Sequence, residues 1–463
     1  MNNCAVVSAT IADWRRRGRE PMMDRLVRIG ERGFLPLVAL AALCSYIVIY
    51  SQHLTDLPIR SDGYSYYVYL PAWFIYHDPS LQMVANHCCY GTFPAWTALT
   101  RWGGTGAWID PHPIGTAILL APFFLVGHLL TLWSRGRPDG FSFYYQHAAG
   151  LAGVFYLVAG LGVLRAFLKR HFQAGVTLAT LVGITWGTNL FHYGTYDSVY
   201  SHIYSFFLCC SLLEATSAWY YRPSAGRSLL VGVVAGLLFL TRHANVLFLV
   251  YFPLYGVLGR RSLTHRLRLF AANPRQLAII VLAAALVAAP QLLLYRAATG
   301  SFVVDPYGNL LRLAGIKAYH FADPQLLGVL VGVKKGLFFW SPILVLGVAG
   351  FFVLRRTARS VLVPSLIFMP LNLYLVASWW DWQFGGSYGH RAFTDSLGVL
   401  AVGMAACYEW VSRRPLLAKA VALFALLATL LSVAQMVQYW LGIVPFSDST
   451  WPQYRANFLR FRH

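Results

Sequence analysis

Arg60-Ser-Asp-Gly-Tyr-Ser-Tyr-Tyr-Val-Tyr-Leu-Pro71 comes shortly after the first long apolar run of the chain, residues 34–51. That run approaches the length that spans a bilayer. The stretch after it sets one carboxylate, Asp62, beside a glycine and a row of tyrosines. A carboxylate at a membrane edge is costly unless it is solvated, paired or used. Further apolar runs follow at 143–168, 174–192, 200–220, 228–241, 244–258, 276–294, 339–354, 361–378, 396–412 and 416–440. Charged residues make up only 12% and aromatics 16%, and the mean hydropathy is +0.54. The fold class expected is therefore all-α, a polytopic membrane protein of about eleven transmembrane helices. Residues 64–76 are expected as a tyrosine-rich juxtamembrane helix in the first outer loop, where amphipathic aromatics settle.

The net charge of +20 could suggest nucleic acid. The basic residues, however, sit in short clusters between apolar runs, which is the positive-inside pattern, and no nucleic-acid partner is expected. Arg15, Arg16, Arg17, Arg19, Arg25, Arg28 and Arg32 place the N-terminal tail in the cytoplasm. Arg260, Arg261, Arg266 and Arg268, then Arg355 and Arg356, then Arg413 and Arg414 mark inner loops. Residues 113–133 are apolar enough to span but are interrupted by Pro113 and Pro122. If they crossed, Lys169 and Arg170 would fall outside. If they pack at the outer interface beside 64–76, then Arg165, Lys169, Arg170, Arg222 and Arg227 fall inside, and the charge rule favours this choice. The C-terminus is then periplasmic. The chain divides into a basic tail 1–33, a core 34–294 with first outer loop 52–142, and a variable part 295–463 with outer loops 295–338 and 379–395. This order puts Asp56, Asp62, Asp78, Asp110, Asp139, Asp197, Asp305, Asp323, Asp381 and Asp395 on the outer side. Either the chemistry is there or the outer loops simply need polar residues. Cys44, Cys209, Cys210 and Cys407 lie in apolar runs and read as packing residues. Cys88 and Cys89 lie in a loop with no metal spacing. The tail lacks the order of a signal peptide, so 34–51 is read as a retained span.

Each candidate site residue has two readings. Asp62 suits a general base aimed by the turn at Gly63, or it starts a turn. Tyr66, with Tyr64, Tyr67 and Tyr69, suits stacking on a sugar, or an aromatic belt. In Asp197-Ser-Val-Tyr-Ser-His202, the histidine could hold a phosphate, a hydroxyl or a metal, or make a structural hydrogen bond. Arg242, next to His243 between two apolar runs, needs a partner, either an anionic headgroup or a nearby carboxylate. Lys334 and Lys335 stand at the outer end of a run, where few cations are expected, and suit phosphate or a solvated loop end. Trp379-Trp-Asp-Trp-Gln-Phe-Gly-Gly-Ser-Tyr-Gly-His-Arg-Ala-Phe-Thr-Asp395 gathers Asp381, His390 and Arg391 in one loop. A belt explains its tryptophans but not its glycines, which let a loop fold back on a ligand. No Walker loop, nucleotide-binding glycine pattern, zinc motif or nucleophile elbow occurs in a supporting context.

Together these stretches resemble the C-type polytopic membrane glycosyltransferases, a superfamily that includes protein O-mannosyltransferases and the enzymes that decorate lipid A. The resemblance rests on Asp62 in the first outer loop, the apolar segment 113–133 and the basic turn Leu168-Lys-Arg-His-Phe172. It rests also on Asp197 at an outer edge and on Thr241-Arg242 closing a Gly-Leu-Leu-Phe-Leu run. It implies a sugar donor carried on a polyprenyl phosphate or diphosphate, and a lipid, glycan or protein acceptor. It implies transfer with inversion at the periplasmic face of a bacterial inner membrane. Asp62 would be the catalytic base. Arg242, Lys334, Lys335 and Arg391 would hold the donor phosphate, and Tyr66, Asp197, His202, Asp381 and His390 would line the substrate. Gly63 stands where many relatives carry a second acid, and Asp381 is alone among tryptophans, so no obligatory metal is expected. No large soluble domain follows the last run, so recognition of a peptide sequon is not expected. A transporter or lipid flippase is the rival from another class, but no internal repeat is evident and the ionisable groups cluster at one face. A polysaccharide polymerase or ligase would share the donor.

Overall fold

The computed structural model describes residues 22–87 and 99–462. The pair Cys88 and Cys89, and most of the basic tail, lie outside them. The chain is built from helices: α1 (Met22–Ser51), α2 (Asp62–Tyr67), α3 (Tyr69–Phe74), α4 (Gly115–Trp133), α5 (Phe143–Leu168) and α6 (Ala174–Trp186). These are followed by α7 (Ser201–Tyr221), α8 (Ala225–Thr241), α9 (Arg260–Ala272), α10 (Pro274–Thr299), α11 (Leu362–Ser378), α12 (Leu397–Val411) and α13 (Pro415–Trp440). Among the described residues, the only sheet is a small antiparallel hairpin in which Thr100–Arg101 pairs with Trp108–Ile109.

Among the described residues, six helices are long and apolar enough to cross a membrane: Ile29–Ser51, Gly115–Trp133, Phe143–Leu168, Pro274–Thr299, Arg359–Ser378 and Pro415–Trp440. The all-α, multi-pass expectation holds, but length does not bring the count to eleven. Three apolar helices are shorter than a full span, Ala174–Trp186, Ala225–Thr241 and His243–Leu254. The run 339–354 is broken into Leu337–Trp340, Leu344–Phe351 and Leu354–Thr357. The run 244–258 begins as a 3-10 helix, His243–Val250. The tyrosine-rich segment also differs from expectation. It forms two short helices, because Pro71 has no N–H to bond the Tyr67 carbonyl and the ladder breaks at Val68. Tyr64, Tyr66, Tyr67 and Tyr69 are all buried in the protein and form no exposed belt.

Side-chain contacts set the helix directions. Glu31 on α1 meets Arg165 and Lys169 on α5, 3.5 and 3.0 Å away. At the other end of the same pair, Tyr46 bonds His147 at 3.0 Å. The two helices are therefore antiparallel. A Cβ on Gly153 would meet Ser198 and one on Gly160 would meet Phe206, so α5 and α7 run in parallel. Arg170 pairs with Glu214 at the same end as Glu31. That end carries the basic clusters; the opposite end of α7 and α8 carries the cavity described below.

Helix α4 enters this body at mid-depth. A Cβ on Gly115 would sit 2.4 Å from backbone atoms of Leu240 and Thr241, so only glycine lets α4 start against the end of α8. Tyr156 donates to the Leu119 carbonyl at 2.9 Å, and Gly127 packs on Tyr144 and Tyr145. The helix thus runs antiparallel to the first half of α5 only and ends beyond the α5 N-terminus. It is long enough to span, yet it does not reach the end of α5 that carries Arg165. Elsewhere Leu344–Phe351 and α12 approach at backbone contact. A Cβ on Gly350 would lie 1.7 Å from the Gly403 oxygen, the close approach that small residues permit between membrane helices.

Candidate functional site

Helix ends and the loops next to them meet around one cavity of about 390 Å³. Asp62 is the first residue of α2. His202 lies in the first turn of α7, and Arg242 follows the last residue of α8. Arg391 and Asp395 lie on the 3-10 turn Arg391–Ser396 that leads into α12. The remaining wall comes from Tyr66, His112, Asp305, Tyr307, Tyr319, Trp379 and Asp381.

Two ion pairs organise the floor. Arg391 donates through Nη1 to Asp62 Oδ2 at 2.7 Å. Arg242 donates through its Nη1 to Asp395 Oδ2 at 2.8 Å and to His202 Nδ1 at 2.9 Å. Guanidinium cannot accept a hydrogen bond, so Nδ1 of His202 is the acceptor in this contact, and the same nitrogen lies 3.4 Å from Asp395 Oδ1. Phe384 lies under both cations, 5.8 Å from Arg242 and 6.0 Å from Arg391, ring centroid to Cζ. Its φ is +58°, and Gly385 and Gly389 follow with φ of +59° and +61°. A left-handed residue other than glycine costs on the order of 1–2 kcal/mol. Here it turns the aromatic face of a loop residue beneath two arginines. Ser61, also left-handed at φ +48°, makes the turn that sets Asp62 at the head of its helix.

Burial would push the Asp62 carboxyl up, but Arg391 and then His112 hold it below the ordinary carboxylate range. Burial pushes Asp395 up to about 6 despite Arg242. Of the two carboxylates paired with guanidinium groups, Asp62 is therefore held ionised and Asp395 is raised to about 6.

The opposite wall is aromatic. Tyr66 meets His112 at 4.6 Å, His112 meets Tyr307 at 5.8 Å, Tyr307 meets Trp379 at 5.4 Å and Trp379 meets Tyr319 at 4.9 Å, all edge to face. An arc of rings with carboxylates beside it offers apolar faces and hydrogen-bond acceptors together, as a polyhydroxylated ring requires.

Of the residues singled out from sequence, Asp62, Tyr66, His202, Arg242, Asp381 and Arg391 line the cavity. Asp197 does not. It lies behind Asp62, accepting from Arg60 at 2.5 Å and from His192 Nε2 at 2.8 Å. Trp440 donates to His192 Nδ1 at 2.9 Å, which leaves the other ring nitrogen to carry the proton toward Asp197. This chain braces Arg60, two residues before Asp62. Lys335 is 2% exposed, and its ammonium donates to the carbonyls of Ser387 and Phe446. Burial, then Arg391, pushes it down to about 7. Lys334 pairs with Asp448 at 3.0 Å. His390 is buried beside Arg391, and neither ring nitrogen has a hydrogen-bond partner. Burial, then Lys335, pushes it down to about 3. Sequence reasoning missed Asp395, His112, Asp305, Tyr307 and Phe384 as site residues. Asp395 closes the loop that carries Asp381, His390 and Arg391, but its partner Arg242 lies far away in sequence, so nothing local signalled the pair.

No family model and no curated protein matches the chain. Among solved structures, it is similar to the crystal structure of the Archaeoglobus fulgidus oligosaccharyltransferase complex with Zn and sulfate. The identity is 14% and the TM-score 0.48, over 92% of this chain and 61% of that chain. The chain thus spans less than two thirds of that protein's length.

Proposed function

We propose that this chain is a membrane glycosyltransferase that moves a sugar from a polyprenyl-phosphate donor to an acceptor hydroxyl at the outer, periplasmic face. The observation that carries the reading is a single cavity lined by an ionised carboxylate, Asp62, and by two guanidinium groups, Arg242 and Arg391. The aromatic arc from Tyr66 to Tyr319 supports a sugar ring as the group between them. A lipid-linked phosphate stays at headgroup depth, so the groups that receive it belong at the ends of spanning helices. His202 in the first turn of α7, Arg242 just past α8 and Arg391 just before α12 stand at helix ends, which supports the reading.

In this reading the acceptor hydroxyl gives its proton to Asp62 while its oxygen attacks the anomeric carbon from the face opposite the phosphate. The bond from that carbon to the phosphate oxygen breaks, and polyprenyl phosphate leaves with both electrons onto Arg242 and Arg391. The sugar inverts, and the proton passes from Asp62 to solvent. The resting ion pair has a role in this sequence. While Arg391 holds Asp62, the carboxylate is a weak base. Donor phosphate competes for Arg391 by charge-assisted hydrogen bonds, and the freed carboxylate gains basicity as the donor arrives. Lys334 and Lys335 take no part in binding the donor, and Asp197 acts by bracing Arg60. No step here calls on a metal ion.

The test is a panel of polyprenyl-phosphate sugars offered to the purified chain in lipid nanodiscs, with release of polyprenyl phosphate as the readout. The expected result is acceptor-dependent consumption of one donor, with the same donor accumulating in cells that lack the protein. Movement of intact donor across the membrane with no bond broken would favour a flippase instead.

A further inference from the structure

Helix α9 supports a separate conclusion, at the end of the molecule far from the cavity. Its sequence is Arg-Arg-Ser-Leu-Thr-His-Arg-Leu-Arg-Leu-Phe-Ala-Ala, residues 260–272. Phe270, whose ring packs on Trp219, Tyr220 and Phe252, and Arg266 tie it to the body. The Arg266 side chain is buried, its guanidinium lies 3.6 Å from the centroid of the Tyr220 ring, and it donates to the Tyr255 carbonyl. The exposed residues of the helix form two stripes. Leu263 and Leu267 are 41% and 59% exposed and stand one turn apart. Arg260, Arg261, His265 and Arg268, all exposed, lie on the adjoining side.

The setting fixes what this surface meets. Asn273 ends α9, and α10 starts at once with Pro274 and runs 26 residues along α8 as a span. A helix joined without a linker to the start of a span lies at the membrane surface. Leucines on one edge and arginines on the next match the acyl and headgroup layers of an interfacial helix. The surrounding charge is of one sign. Between Glu214 and Asp305 the sequence has no acidic residue. Glu214 is itself paired with Arg170. The Ser360 carbonyl accepts from the Gly256 N–H at 2.7 Å, which brings the exposed Arg355, Arg356 and Arg359 alongside.

We infer that α9, with the neighbouring arginines, is a docking surface for anionic phospholipid headgroups, such as phosphatidylglycerol, on the cytoplasmic leaflet. The site is independent of the sugar-transfer cavity and does not rest on that reading.

The experiment uses the full chain in neutral detergent and measures binding of labelled phosphatidylglycerol and labelled phosphatidylcholine. Wild type should bind the anionic lipid more tightly. The triple variant Arg260→Gln, Arg261→Gln, Arg268→Gln should weaken phosphatidylglycerol binding by on the order of tenfold to a hundredfold. Phosphatidylcholine binding should stay within about twofold, since the neutral headgroup offers no net charge. The control Arg455→Gln, on the exposed C-terminal helix Trp451–Asn457, should change neither. Unchanged selectivity in the triple variant overturns the inference. So does an equal loss from Arg455→Gln, which would show that only the overall charge of the molecule matters.

Discussion

At the scale of the residue, the Asp62–Arg391 pair makes a pH prediction with a definite sign. Arg391 holds the Asp62 carboxyl below its ordinary range against the upward push of burial. A group with a depressed pKa stays ionised as pH falls, until that low value is reached. The acid limb of kcat/KM should therefore lie below the ordinary carboxylate range in wild type. In Arg391→Gln the burial effect is opposed only by the weaker influence of His112, so the limb should move to higher pH, alongside weaker donor binding. A pH profile of the variant that overlays the wild type would separate Asp62 from Arg391 functionally. Asp395 gives the opposite sign. Burial raises it to about 6, so it is charged above that pH and neutral below. Once neutral it stops competing for Arg242, and an incoming phosphate no longer faces its charge. Donor KM should fall as pH drops from neutral through about 6, and Asp395→Asn should abolish that dependence. A donor KM that is flat with pH in wild type would contradict the assignment.

At the scale of the element, backbone contact between Leu344–Phe351 and α12 predicts where the helix body tolerates bulk. Gly350→Leu forces a side chain into the Gly403 backbone, and overpacking of this kind costs about 1–3 kcal/mol or more. The variant should unfold at a clearly lower temperature in a thermal melt. Gly33→Ala, on α1, has nothing within 4 Å of its added Cβ and should be neutral or gain up to about 1 kcal/mol from helix propensity. Equal melting of the two variants would refute the packing argument. The elements also show which parts of the chain could be read from sequence. Helices such as α5 and α13 were legible to within a residue, because each is one long unbroken apolar run. The breaks were not. The run 339–354 looks continuous until Ser341 and Pro342 are placed against their neighbours. Asp62 and Arg391 could each be singled out from sequence, but their pairing across the fold has no local signature. Lys335 read as a phosphate ligand because its real partners are the carbonyls of Ser387 and Phe446. Backbone acceptors carry no residue code, so sequence cannot announce them.

At the scale of the whole molecule, the fold is polarised. One end collects Glu31, Arg165, Lys169, Arg170 and α9. The other gathers the cavity, with Asp62, Asp305, Asp381 and Asp395. In the proposed topology, which follows the arginine bias, the first end is cytoplasmic. In a background without native cysteines, a single cysteine placed at the exposed Ser301 should be labelled from outside intact cells. One placed at Arg261 should be labelled only after the membrane is opened. The reverse pattern would move the cavity to the cytoplasmic face and remove the periplasmic assignment. Helix α4 follows the same polarity, since it rises from the level of the cavity past the α5 N-terminus without reaching the basic end.

Asp62→Asn puts the central claim to the most direct test. The substitution keeps the size of the side chain and most of its hydrogen-bonding capacity but removes the charge that accepts the acceptor's proton. The measurement is single-turnover sugar transfer by the purified variant at saturating donor, beside donor binding on the same sample. The account predicts near-normal donor binding with transfer slowed by about 10²–10⁴-fold. Transfer at close to the wild-type rate would show that Asp62 only starts a turn, and would contradict the account.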